Sequence, residues 1–296
     1  MFGDDDLQDP SKKNWRGEPA LKPRFYRRAW FSALMALILL GGVSLLGVWA
    51  IVVAPLKEKA EEYDLDEVRK LESASIIYDR NGEELSRIFV LNRTPVSIQE
   101  VPKHLINALI AQEDSRFFRH NGVDYIGLGR AVIENLKAGR TTQGASTITQ
   151  QLARQTFELK DRTLSRKFTE IFLAQRIEKR INSKQRILEL YINRIYFGSG
   201  YYGIASAAEG YFGKDPEHLS AVEAATLAAT IPNPYHRSPR SFPEASKKWR
   251  DHILDRMAKE GYIDEDTRSR LQKTKVEIAA KTNLTGKSAF VYAKVR

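Results

Sequence analysis

The spacing of hydrophobic and polar residues changes along this chain, and each change predicts a different kind of element. Residues 29–54 carry no charged side chain, and this stretch exceeds the roughly 20 residues that a helix needs to cross a bilayer. From Val101 onward, apolar residues recur every three or four positions, which is typical of helices that bury one face. The segments with this spacing are 104–118, 127–137, 146–157, 163–181, 184–195, 218–231 and 243–261. We therefore predict a mainly α fold.

A small β element is also predicted, which makes the fold class mainly α with α+β character. Ser75–Tyr78 and Arg87–Val90 flank Asn81-Gly82, a dipeptide that supplies the positive φ angles of a tight hairpin. Ala289–Tyr292 is a further strand-like segment near the C-terminus. We expect it to pair with the hairpin in one small sheet.

The charges on either side of residues 29–54 predict a single-pass orientation. Before this segment lie Lys12, Lys13, Arg16, Lys22, Arg24, Arg27 and Arg28, whereas mixed charges follow it. Because Lys and Arg concentrate on the cytoplasmic side, residues 1–28 are predicted to be a cytoplasmic tail and residues 55–72 a charged stalk outside. A cleaved signal peptide is the alternative, since Val52 and Ala54 fit a cleavage pattern, although the apolar segment is long for one.

Composition narrows the classes of function. The chain has 296 residues and no cysteine, which excludes a disulfide framework or a thiolate metal site. Its histidines lack ligand-like spacing, so no metal cage is predicted. Residues 140–186 contain 11 Lys and Arg against 4 Asp and Glu. A basic patch beside a membrane favours anionic head groups or phosphates as partners, and no nucleic acid is expected for an exported domain.

Glu113 is the first candidate for chemistry. It continues the apolar stripe formed by Ile106, Leu109 and Ile110. Burial disfavours a charged carboxylate and raises its pKa, as a general base working near neutral pH requires. A structural pair with an arginine is the alternative interpretation. Asp114 points about 100° away, and a role at a helix terminus or in an ion pair is favoured for it.

The segment Gly144–Gln151 is unusually rich in hydrogen-bonding groups. Its hydroxyl and amide side chains are those of Ser146, Thr147, Thr149, Gln150 and Gln151. Ser146 could simply cap a helix. The whole set also matches what sugar hydroxyls or phosphate oxygens require.

Two further helices carry polar groups whose role the pattern leaves open. In 163–181 the expected core face consists of Leu164, Phe168, Ile171, Phe172 and Gln175. Arg166 and Glu170 lie on the other side as an i,i+4 pair flanked by Lys167. The pair is either a solvated ion pair or, if another layer of the structure covers this face, part of a site. In 184–195, apolar spacing indicates a packed helix.

Four motifs in order resemble those of the family 51 glycosyltransferases, peptidoglycan polymerases that occur alone or joined to penicillin-binding transpeptidases. The motifs are Glu113–Gly122, Gly144–Gln151, Arg166–Glu170 and Lys184–Asn193, within about residues 73–260. A fifth motif is matched only approximately by Arg250–Leu254. The resemblance implies a lysozyme-like glycosyltransferase domain. It also implies polymerisation of lipid II into β-1,4-linked glycan, with inversion and release of undecaprenyl pyrophosphate.

The resemblance also implies roles for individual residues. Glu113 would be the base that deprotonates the acceptor hydroxyl, and Glu170 the second carboxylate. The substrate-binding set would be Phe117, Ser146, Gln150, Gln151, Arg154, Arg162, Arg166 and Lys167, with Phe117, His120 and Asn193 in more structural positions. The motifs assign no cofactor, and the resemblance leaves a divalent cation, Mg²⁺ or Mn²⁺, as an open alternative.

Two features depart from the family pattern. Many members have Lys where this chain has Arg154, which keeps the charge but changes its geometry. The chain also lacks Ser-x-x-Lys and Lys-Thr-Gly, so no penicillin-binding transpeptidase domain is expected within it. The hairpin and residues 261–296 resemble the connector of bifunctional members.

The expected partners are lipid II, the growing glycan strand, the membrane, and a separate transpeptidase or the division or elongation machinery. The expected location is the bacterial inner membrane, with the domain on the periplasmic side. A lysozyme-like hydrolase or lytic transglycosylase is the second hypothesis, but it gives residues 140–186 no obvious use. A catalytically idle scaffold is the third, and Arg154 adds weight to it.

Overall fold

The computed structural model describes residues 24–70, 75–78, 84–88, 95–139, 144–161 and 163–280. Its helices are α1 (Arg24–Val48), α2 (Ala54–Glu61), α3 (Lys103–Glu113), α4 (Tyr125–Ala138), α5 (Ile148–Thr156), α6 (Leu164–Ile181), α7 (Lys184–Ile192), α8 (Ile204–Phe212), α9 (Ala221–Thr230), α10 (Pro243–Lys259) and α11 (Glu265–Lys273). Its strands are β1 (Ser75–Tyr78) and β2 (Glu84–Ile88). The predicted mainly α class is confirmed.

The chain divides into two compact units, residues 1–55 and 56–296. In the first, α1 is followed by a π-helical turn, Trp49–Val53. The segment Trp30–Glu61 is one helical span whose best window has a mean hydropathy of 2.5, and it is the one helix in the described residues with the length and composition of a membrane span. It lies where the sequence predicted it.

The second unit begins with the residues predicted to be a stalk. After α2, a 3₁₀ turn covers Leu65–Val68, and Asp64 caps it by accepting a hydrogen bond from the amide of Asp66. Ala60 and Val68 are buried in the core of this unit. Residues 56–70 are therefore packed against the body of the unit at several points.

The core of the second unit is built from two neighbouring groups of helices. Helix α3 packs against α9 and α10, while α5 packs against α6 and α7. Helix α9 is almost entirely buried, and its alanines allow neighbouring helices to approach closely. Ser220 and Glu223 form a capping box at its start. The end of α3 and the start of α5 meet between the two groups.

The core face predicted for α6 is wrong in part, because Phe172 packs against the core but Leu164 and Gln175 do not lie on the buried side. Leu164 is 80% exposed and Gln175 is exposed, whereas Thr169, Glu170 and Leu173 are buried. The reason is that α5 covers the side of α6 that carries Glu170. A single-helix pattern ranks faces by apolar content, so it cannot detect a neighbour that encloses polar groups.

Several element bounds also differ from the prediction. Helix α3 ends at Glu113 rather than at residue 118, and the sequence did not predict α8 or α11. β1 and β2 pair antiparallel with an irregularity at Ile77/Tyr78, as expected for a hairpin. The turn at 81–82 and the predicted strand at 289–292 lie outside the described residues.

Candidate active site

Glu113, the last residue of α3, is half-buried, and its carboxylate faces α5. Its Oε2 accepts a hydrogen bond of 2.6 Å from Nε2 of Gln151. Its Oε1 is buried without a hydrogen-bond partner. Burial raises the pKa of Glu113, and the hydrogen bond from Gln151 acts in the opposite direction. The result is a proton-accepting oxygen that is withdrawn from water and uncommitted.

Asp114 connects the end of α3 to the start of α5. Its Oδ2 accepts a hydrogen bond of 3.0 Å from the amide of Ile148, the first residue of α5. Its Oδ1 lies 3.0 Å from Nε2 of His120, and both side chains are buried. A carboxylate at a helix N-terminus satisfies a free amide and complements the helix dipole. The helix-terminus role favoured for Asp114 is thus what the structure shows, at the start of α5.

Helix α5 is capped by Thr147 rather than Ser146. Thr147 and Gln150 form a capping box, and the Thr147 hydroxyl also donates a hydrogen bond of 2.6 Å to the carbonyl of Gly122. Gly122 has a φ of 85°, and a Cβ there would lie 2.8 Å from the backbone of Ala174. The capping alternative for Ser146 is therefore wrong. Its hydroxyl is left for the site.

Lys167 joins the polar start of α5 to the carboxylate of α6. Its Nζ donates hydrogen bonds to Ser146 Oγ at 2.7 Å, to Gln150 Oε1 at 3.0 Å and to Glu170 Oε2 at 3.3 Å. Burial lowers the pKa of Lys167, while Glu170 raises it. A partly buried ammonium held by three oxygens can exchange one of them for an oxygen of an anionic ligand.

Glu170 is buried, with a relative exposure of 1%. Its Oε1 lies 3.5 Å from Nε of Arg166 in an ion pair, and neither atom has a hydrogen-bond partner. The solvated alternative for the Arg166 and Glu170 pair is therefore excluded. Burial of charge in this arrangement is costly unless other interactions compensate it.

The two halves of the site meet along α5. Gln151 donates to Glu113, and its Oε1 accepts a hydrogen bond of 3.3 Å from the buried hydroxyl of Tyr191. Arg154, one turn further along α5, interacts electrostatically with both Glu113 and Lys167. The base candidate and the cations are therefore parts of one arrangement.

Helix α10 and the segment before it supply groups that the sequence did not single out. Burial lowers the pKa values of Arg256 and Arg237, and Glu113 acts on both in the opposite direction. The Arg237 guanidinium stacks on the ring of Trp249, 3.5 Å from its centroid. Arg256 and Trp249 are seven residues apart on α10, close to the same helix face. Helix α10 packs against α3, which carries Glu113, and the one-dimensional pattern could not reveal this contact.

The remaining predicted site residues have different surroundings. Phe117 has no exposed surface and packs against Phe118 and His120, with Nζ of Lys184 4.4 Å from its ring centroid. It supports the site from the core instead of facing it. Arg162 lies outside the described residues. In the described part of the chain, no group of three or more His, Cys, Asp or Glu residues could hold a metal ion.

Residues 81–258 match the model of the transglycosylase family. The match covers more than half of the 296 residues. The chain belongs to the transglycosylase family. This membership confirms the predicted enzyme class, a peptidoglycan glycosyltransferase related to penicillin-binding proteins.

The relatives are longer proteins. Penicillin-binding protein 1F of Bacillus subtilis is 40% identical over 238 residues, which cover 80% of this chain and 32% of the relative. Penicillin-binding protein 1A of Escherichia coli is 40% identical over 240 residues, covering 81% and 27%. That of Aquifex aeolicus is 47% identical over 190 residues, covering 64% and 26%. The chain spans about a third or less of these relatives.

A solved structure was also found. The crystal structure of penicillin-binding protein 1A from Haemophilus influenzae aligns with a TM-score of 0.43 at 24% identity. The alignment covers 72% of this chain and 22% of that one.

Proposed function

We propose that this chain polymerises lipid II into β-1,4-linked glycan strands with release of undecaprenyl pyrophosphate. The observation that carries the proposal is the single arrangement along α5, in which Gln151 holds Glu113 while Gln150 and Ser146 hold Lys167. This arrangement offers one base and one cationic cluster to the same substrate.

Glu113 is the base of the proposed reaction. The 4-hydroxyl oxygen of the acceptor sugar attacks C1 of the α-linked donor from the opposite face, and the bond from C1 to the diphosphate oxygen breaks. The hydroxyl proton passes to the Glu113 carboxylate, and the new linkage is β. A buried carboxylate with a raised pKa and one unpartnered oxygen suits this step.

The cations take the place of a general acid. The leaving group is a negatively charged lipid diphosphate. Positive charge next to its leaving oxygen therefore lowers the barrier without a proton transfer. Lys167, Arg166 and Arg154 are the described cations placed for this role, and Glu170 keeps the first two in position. Arg162, from the resemblance, would belong to the same set.

The membrane is part of the proposal because the substrate is lipid-linked. The uncharged segment 29–54 would anchor the chain in the bacterial inner membrane, with residues 1–28 in the cytoplasm and the second unit on the periplasmic side. Helix α4 exposes large apolar side chains that fit a lipid surface: Tyr125, Ile126, Leu128, Val132, Ile133 and Leu136. Enzyme and substrate then share one surface, which raises their effective concentration.

The test is incubation of the purified full chain with fluorescent lipid II, followed by gel separation of the products. We expect a ladder of glycan polymers that a phosphoglycolipid inhibitor abolishes. Release of muropeptides from purified sacculi without a ladder would instead favour the hydrolase. Binding of lipid II without any product would favour the scaffold.

A further inference from the structure

Two arginines fasten the segment after the apolar span to the body of the second unit. The first is Arg176 on α6, which donates hydrogen bonds to the carbonyl oxygen of Ala60 and, at 3.2 Å, to that of Tyr63. The last carbonyls of a helix lack partners within the helix. Arg176 therefore closes the C-terminal end of α2 from outside.

The second is Arg194, which follows α7 and is buried. Its Nη2 donates to the carbonyl oxygens of Lys70 at 2.5 Å and Glu67 at 3.3 Å, and its Nη1 to that of Val68 at 3.2 Å. Nη1 also donates to the hydroxyl of Thr156 at 2.6 Å. Because Thr156 is the last residue of α5, one guanidinium ties this helix to residues 67–70.

Apolar contacts reinforce both attachments. Ala60 and Val68 are buried, and the ring of Tyr63 packs edge-on against Phe157 with centroids 4.9 Å apart. The segment is thus held on α5 and α6. These helices also carry the cationic cluster of the candidate site.

Only a short stretch of chain connects the uncharged segment to the first of these contacts. Ala60, which is buried in the second unit, lies six positions after Ala54, the last residue of the uncharged segment. Even fully extended, six residues reach at most about 20 Å. Release of the segment as far as Lys70 would add ten residues, or about 35 Å of reach.

We propose that Arg176 and Arg194 are positioning residues, which keep the candidate site within reach of a diphosphate at the membrane surface by holding residues 56–70 on α5 and α6. The inference rests on the proposed function, because it takes the substrate to be membrane-borne. Arg176 and Arg194 touch no reacting atom. Their contribution is to limit how far the site can move from the lipid, in addition to the surface contact proposed for α4.

The distance itself can be measured without any activity. The chain has no cysteine, so Glu217→Cys on the exposed surface gives one labelling position for energy transfer to acceptor-labelled lipids in vesicles. Arg176→Gln should lower the transfer efficiency. Lys179→Gln is the matched control, because Lys179 is an exposed cation on the same helix. Equal transfer in both variants would overturn the proposal.

Activity supplies the second readout. On lipid II in bilayer vesicles, Arg176→Gln should lower kcat/KM about tenfold, the scale of a 1.4 kcal/mol penalty. On a short-chain, water-soluble analogue the same variant should match the parent chain. Equal losses on both substrates would show a damaged site and reject positioning. If the parent chain forms no polymer, the proposed function fails, while the energy-transfer result still decides the positioning.

A lengthened tether tests the same idea without disturbing any hydrogen bond. Insertion of ten Gly and Ser residues after Pro55 leaves both arginines in place but extends the reach of the chain by about 35 Å. We expect the same fall in energy transfer and the same loss restricted to the bilayer substrate. Full activity of this insertion variant on vesicles would refute the proposal.

Discussion

At the scale of single residues, the candidate site depends on one carboxylate that is partly satisfied. Gln151 occupies one oxygen of Glu113, and the other is buried and unpartnered. An unsatisfied buried acceptor costs stability, so it is retained where it serves chemistry. This is the physical reason to assign proton transfer to Glu113 rather than to Asp114, whose two oxygens both have partners.

Glu113→Gln should abolish polymerisation and preserve the fold. The amide keeps the shape of the side chain and a hydrogen-bonding oxygen, but it cannot accept the proton. Loss of a general base typically costs about 10²–10⁴-fold in rate. Initial rates with labelled lipid II, beside an exposed Glu217→Gln control, measure this effect. A variant that retained more than a tenth of the parent rate would remove the assignment.

The same side chain predicts two opposite pH dependences. Activity should rise with pH through the raised pKa of Glu113, because the base must be ionised. Stability should fall over the same range, because between the ordinary and the raised pKa the folded state binds more protons than the unfolded state. Glu113→Gln should therefore be more stable than the parent chain at pH 8 and equal to it at pH 4. Urea denaturation at both values tests the sign, and a variant less stable at pH 8 would contradict it.

Lys167 should be needed for substrate binding and turnover. Lys167→Met removes the charge that faces Ser146, Gln150 and Glu170, and we expect kcat/KM to fall at least about 100-fold, as for loss of one electrostatic contact to developing charge. Lys167→Arg keeps the positive charge and should therefore retain part of the kcat/KM that Lys167→Met loses. The matched control is Lys179→Met, which is exposed on the same helix. Comparable losses in both methionine variants would point to net charge instead of position.

At the scale of elements, the sequence predicted most helices, the hairpin strands and the residue types of the site. It predicted Glu113 on a buried face because Ile106, Leu109 and Ile110 share that face. It could not predict that Thr147 caps α5 or that α6 buries Glu170, because both depend on which helix packs alongside. Helix α8 was missed since its only boundary signals are Gly203 and Gly213. Arg256 was missed because it approaches Glu113 only through the packing of α10 on α3, and Arg237 because it lies outside any helix pattern, in the segment before α10.

Gly122 should be intolerant of any side chain. Its φ of 85° is unfavourable for other residues, and an added methyl would meet the Ala174 backbone at 2.8 Å. We expect Gly122→Ala to cost about 1–3 kcal/mol in the free energy of unfolding. Gly129→Ala lies within α4 with open space around it, and it should instead stabilise by about 0.5–1 kcal/mol. Chemical denaturation of both variants measures the contrast, and equal effects would exclude the close contact.

At the scale of the whole molecule, charge and hydropathy divide the chain into parts with different surroundings. One group of positive residues lies before the apolar segment, and another lies around the candidate site. We expect the first group to set the orientation in the membrane, and we propose the second as a counter-charge to phosphates. Both arise from the same residue types, so composition alone could not distinguish them. The position of each group relative to the apolar segment distinguishes the two.

The orientation can be tested with single cysteines. Ser11→Cys should resist a membrane-impermeant maleimide in intact spheroplasts, whereas Glu217→Cys should react, since the parent chain has no thiol background. After permeabilisation both should react. Labelling of the cysteine at position 11 in intact spheroplasts would reverse the proposed topology.

The bond from the amide of Ile148 to the Asp114 carboxylate also governs how substitutions would combine. Asp114 adjoins Glu113 in the chain, and its partner begins the helix that carries Gln151. A change at 114 and a change at 151 would thus displace the same proton acceptor by two routes. We expect strong epistasis, in which the double substitution costs far less than the sum of the single ones. Once one of these two positions had changed, a change at the other would have little left to disturb.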